Sequence, residues 1–198
     1  VIAITVIASS VSGIKKGITL LSTVNTYVFV AIGLMIFVFG PTLFMLNFGL
    51  ESFGVYLDSF FQKSLSTGAA ERDTWARSWT IFYFSSWMAW APLTAMFLGK
   101  ISKGYTVRQF LIVNLLIPSA FACVWTSIFG GATLFFDFET GGKMMDILKT
   151  NGYESVVYAL FNHLPLSGLM ILAFIFATYL SYSTAADSTT DAMANICV

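Results

Sequence analysis

The chain is short of charge. Only 10% of its 198 residues are Asp, Glu, Lys or Arg, against roughly 25% in an average soluble domain. That shortage excludes an ordinary water-soluble globular protein. The ten basic and ten acidic side chains cancel. With no basic patch and no RNA-binding motif, nucleic acid is excluded as a partner. Cysteine occurs twice, at Cys123 and Cys197, both in apolar sequence, so no disulfide framework or thiolate metal site is expected. Histidine occurs once, at His163 beside Pro165. Without a second histidine or a neighbouring nucleophile it makes a poor catalytic base. No HExxH, GxSxG or Walker pattern is present, and the chain does not read as an enzyme.

What is present is apolar: hydrophobic residues reach 57% and aromatics 17%. Uncharged runs alternate with short polar segments, the pattern of an all-α integral membrane protein with several spans. Residues 1–46 read as the end of one transmembrane helix and one full span, bent at Gly40-Pro41. Residues 47–76 read as an extracytoplasmic loop with an amphipathic surface helix over 54–63. Residues 77–198 hold three further spans, at 77–101, 107–135 and 166–182, with a short helix over 153–162. Both ends fall inside apolar runs, which reads as an internal fragment of a longer protein. Lys15 and Lys16 fall in one loop, and Lys100, Lys103 and Arg108 in another; neither loop contains an acid. Both are therefore expected on the cytoplasmic side.

The chain is organised around residues 77–110, RSWTIFYFSSWMAWAPLTAMFLGKISKGYTVRQF. Residues 78–99 carry no charge and as a helix measure about 32 Å, enough to cross a bilayer of ~30 Å. Trp79, Tyr83, Trp87, Trp90, Thr94 and Phe97 recur every three or four residues, on one helical face. One reading is an aromatic belt at the headgroups, which suits Trp75 and Trp79. Trp87 and Trp90 lie roughly 12 and 16 Å further along the axis, where an indole N–H needs a partner or a polar cavity. The other reading is a binding wall. With no acid on this helix, a bound cation is held by ring faces, which suits a quaternary ammonium.

The tail SYSTAADSTTDAM crowds Ser181, Ser183, Thr184, Asp187, Ser188 and Asp191 onto the end of an apolar helix. It reads either as a solvated helix end or as oxygen ligands for a hard cation.

SWTIFY followed by WxxWxP and GKISKGYTVRQF resembles the signature region of the betaine/choline/carnitine transporter family. ASSVSGIKKGITLLSTVN, VFGPTLFMLNF, IPSAFACVWTSIFGGATLFF and TAADS extend the resemblance over nearly the whole chain, in order. It implies part of a LeuT-type bundle of two inverted five-helix repeats, in the cytoplasmic membrane and assembled as a homotrimer. It implies transport of a small trimethylammonium substrate such as glycine betaine, carnitine or choline, by symport or antiport. Trp87 and Trp90 would then be cage walls, with Ser86 lining the site and Phe97 a cytoplasmic gate. Phe84 and Ser86 stand where the family signature has tryptophans. In sodium-coupled members two adjacent hydroxyl residues before A-D-S ligate the ion, with a backbone carbonyl nearby. Those positions here are Thr184, Ala185 and Ser181. Ala185 offers no side-chain oxygen, and Leu93 replaces a phenylalanine near a second ion site, so Na+ is expected to couple weakly or not at all. Two other functions fit the same residues: an amino-acid or related amine carrier on the same fold, and a channel or receptor in which the stripe is only packing.

Overall fold

The computed structural model describes residues 14–68 and 74–196. The expected span end at 1–11, together with Ser12, Glu71, Arg72, Asp73 and Cys197, lies outside the described residues. Seven helices follow in order, and no strand occurs among the described residues. They are α1 (Ile14–Phe39), α2 (Thr42–Ser64), α3 (Arg77–Ile101), α4 (Val107–Thr140), α5 (Lys143–Asn151), α6 (Tyr153–Asn162) and α7 (Ser167–Ile196). Four of them are long and apolar enough to cross a membrane: α1 over Thr19–Phe39, α3, α4, and α7 over Ser167–Ala194.

The expected bend at Gly40-Pro41 is a full break. Pro41 has no amide hydrogen to continue the ladder. Gly40 donates its own to the Ile36 carbonyl at 2.8 Å. A Cβ on Gly40 would sit 2.4 Å from that same oxygen, so the chain can turn here only at glycine. Past the break α2 runs unbroken from Thr42 to Ser64 and takes in the segment expected as a separate surface helix. It lies along α4.

Two short segments inside the spans widen to π geometry, Arg77–Ile81 at the start of α3 and Ile112–Leu116 in α4. The second precedes Pro118, whose ring would collide with the carbonyl four residues back in a regular helix; the wider turn gives that carbonyl room. At the far end of α4, Gly141 and Gly142 take φ of 69° and 93°, a left-handed reversal that side chains resist. Asp137 holds the reversal on both sides. Its carbonyl accepts from Gly142 N at 2.9 Å and its Oδ1 accepts from Met145 N at 3.0 Å. The polar stretch 143–151 is therefore helix α5.

The core joins α1, α2, α4, α6 and α7 through Ile32, Ile36, Met45, Ala132, Leu160, Phe161 and Met170. Lipid is as apolar as these side chains, so close packing holds the helices together more than escape from solvent does. Glycine makes that packing tight: a Cβ on Gly131 would come within 3.1 Å of Met45 Cα, and one on Gly49 within 2.8 Å of Ser127 Oγ. Trp125 stacks on Phe129 at 4.3 Å and meets Phe29 edge-on at 5.5 Å. His163 closes α6 and stacks on Phe136 at 4.9 Å.

Candidate functional site

Helix α3 packs on α7 and on no other helix among the described residues. The two enclose a cleft of about 170 Å³ lined by Trp90, Leu93, Thr94 and Phe97 from α3 and by Ala185, Ser188, Thr189 and Ala192 from α7. None of the lining residues is charged. Both sets follow helical spacing: 90, 93, 94 and 97 on one side, 185, 188, 189 and 192 on the other. Each is thus one continuous face of its helix.

Trp90 and Phe97, both expected to bind substrate, stand in this cleft with Ala185, expected at the ion site. The other three expected substrate residues do not line it. Ser86, half-buried, and Trp87, 69% exposed, lie one turn further up and flank the same face. Phe84 is also 69% exposed and points about 120° away from Trp90 around the axis. Nearer the start of α3, Trp79 and Tyr83 stack on each other at 5.8 Å.

The hydroxyls of the cleft differ in what they have left to offer. Thr94 Oγ1 donates to the Trp90 carbonyl at 3.1 Å, and Ser188 Oγ donates to the Thr184 carbonyl at 2.9 Å. Both satisfy their own helix and keep only acceptor capacity for anything in the cleft. The Thr189 side chain makes no hydrogen bond to any described residue. Sequence reasoning had noted Ser188 but passed over Thr189 and Ala192; their i, i+3, i+4, i+7 relation to Ala185 was the available signal.

Two of the three residues at the expected ion position, Thr184 and Ser181, are already engaged. Thr184 Oγ1 lies 3.0 Å from both the Leu180 and Ser181 carbonyls and donates to them. Ser181 Oγ accepts from Asn25 Nδ2 of α1 at 2.7 Å. Ala185 turns toward α3 instead. Ser183 and Asp187, 2% and 3% exposed, are too buried for the solvated-end reading of the tail.

These features define a polytopic helical membrane protein with an uncharged, aromatic- and hydroxyl-lined cleft between two spans. A family model described as "BCCT, betaine/carnitine/choline family transporter" matches residues 1–198, and the chain belongs to that family. Among its relatives is an ectoine/hydroxyectoine transporter of Virgibacillus pantothenticus, 32% identical over 190 residues, covering 96% of this chain and 38% of the relative. A probable glycine betaine transporter of Desulfitobacterium hafniense is 32% identical over 194 residues, covering 98% and 38%. An osmo-independent choline transporter of Acinetobacter baylyi is 32% identical over 190 residues, covering 95% and 36%. The chain spans less than two fifths of the length of these relatives. The family is one of transporters, not of enzymes.

Proposed function

We propose that the protein is a secondary transporter that moves a small quaternary ammonium compound, of the glycine betaine, carnitine or choline kind, across the cytoplasmic membrane. The observation that carries this reading is the α3–α7 cleft. It sets two ring systems, Trp90 and Phe97, against hydroxyls with no charged side chain in the lining. An onium group there is attracted by ring faces, worth about 0.5–2 kcal/mol each depending on desolvation. It needs no carboxylate, because it has no N–H to donate. Trp87 and Ser86, one turn above, extend the same face toward the bilayer midplane, and Phe97 forms the lower end as a gate.

Two of the relatives' names support the chemistry: choline and glycine betaine are compact quaternary ammonium compounds, and glycine betaine also carries a carboxylate. In our reading Na+ is at most a weak coupling ion. The hydroxyl at Thr184 has no partner hydroxyl at Ala185, and the Ser181 carbonyl already accepts from Thr184 Oγ1. A homotrimer in the bilayer is the proposed assembly.

The test is uptake by the full-length protein in proteoliposomes. Saturable uptake of labelled glycine betaine, inhibited by unlabelled choline or carnitine, is expected. Linear, non-competitive flux would instead favour a channel. Saturable uptake of a primary amino acid with no response to onium compounds would move the substrate to the amine class.

A further inference from the structure

We infer that Thr189 reads the acceptor end of the substrate and so sets the preference for a carboxylate-bearing onium over a bare one. This rests on the transport reading above and assigns a specificity role within the same cleft.

Three hydroxyls line the cleft, at Thr94, Ser188 and Thr189. A carboxylate accepts hydrogen bonds and cannot donate one, so only a hydroxyl with an uncommitted proton can serve it. Thr94 and Ser188 have spent theirs on the Trp90 and Thr184 carbonyls of their own helices. Thr189, on the same face as Ser188, has not. The only other side-chain donor in the lining is the Trp90 indole N–H. No Lys or Arg lines the cleft to take the carboxylate by charge, so discrimination falls to these neutral donors. A site built to hydrogen-bond a group discriminates strongly against an analogue lacking it, because the donor is then left unmet. Ring faces, by contrast, hold the trimethylammonium end equally in both ligands. The wall therefore supplies affinity for the cation, and Thr189 separates one onium from another.

The experiment compares binding of glycine betaine and of tetramethylammonium to the full-length protein and to Thr189→Val and Thr189→Ser. Valine keeps the shape and removes the donor. The inference expects Thr189→Val to weaken glycine betaine about tenfold, as for loss of one hydrogen bond to a charged group, with tetramethylammonium changed less than about twofold. Thr189→Ser should restore most of the difference. Equal weakening of both ligands in Thr189→Val would mark a packing role and overturn the inference, as would no change in either. Failure of the unmodified protein to bind any onium compound would instead overturn the transport reading on which the inference rests.

Discussion

Asn25 of α1 and Ser181 of α7, 156 residues apart, are joined by a hydrogen bond of 2.7 Å from Asn25 Nδ2 to Ser181 Oγ. The bond ties the helix that carries half of the cleft to the helix that opens the described chain. It also leaves Asn25 Oδ1 buried without a partner among the described residues. That imbalance gives an ordering of mutational costs. Ser181→Ala strands both ends of the Asn25 amide and should destabilise by about 1–3 kcal/mol. Asn25→Leu removes the whole amide, including its unmet oxygen, and should cost less than about 1 kcal/mol. Thermal denaturation of the full-length protein in detergent measures both; the reverse order would contradict the pairing.

Packing between α2 and α4 should tolerate no added carbon at Gly131. A Cβ there meets Met45 Cα at 3.1 Å, whereas one at Gly99 on α3 meets nothing within 4 Å. Gly131→Ala should therefore destabilise by about 1–3 kcal/mol, the usual cost of overpacking. Gly99→Ala should be neutral or slightly stabilising, since alanine favours helix by ~1 kcal/mol over glycine. Equal Tm shifts for the two would show that the α2–α4 crossing is looser than the geometry implies.

Restoring an oxygen at Ala185 should strengthen sodium dependence. Ala185→Ser places a hydroxyl beside Thr184, where hard cations find ligands. Uptake measured against sodium concentration should be nearly flat in the unmodified protein and should rise with sodium in the variant. Strong, saturable sodium dependence without the substitution would show that position 185 is not decisive.

The orientation read from Lys and Arg is open to cysteine labelling. On a background lacking Cys123 and Cys197, a cysteine at Ser102, between α3 and α4, should react with an impermeant reagent only from the cytoplasmic side. Cysteines at Ser66 and Thr150 should react only from outside. Any one of the three labelled from the wrong side overturns the assignment.

Much of this was legible in the chain because hydrophobic length and aromatic spacing are local. The run from 78 to 99, the period of Trp90, Thr94 and Phe97, and the helix over 153–162 depend on near neighbours alone. The rest depends on what meets what. Gly40-Pro41 announces a bend, but whether the chain bends or breaks is decided where Gly40 seats against Ile36. Helix α5 was hidden because its segment is polar; its start is fixed by Asp137, eight residues back from Met145. The face of α7 that meets α3 was written at 185, 188, 189 and 192. Only the packing shows that Thr189, and not the hydroxyl at Thr184, enters the cleft. The Asn25–Ser181 bond joins residues too far apart in sequence for any spacing rule to pair them.

The central claim is that indole faces in the middle of α3 hold the substrate cation. Binding of glycine betaine to the full-length protein, compared among Trp90→Leu, Trp87→Leu and the Trp79→Leu control, tests it most directly. Leucine keeps apolar bulk and removes the ring. The account predicts a loss of about 5–30-fold, or 1–2 kcal/mol, for Trp90→Leu, a comparable loss for Trp87→Leu, and little change for Trp79→Leu. Unchanged affinity at both Trp90 and Trp87 would contradict it and return the aromatic stripe to packing and lipid contact.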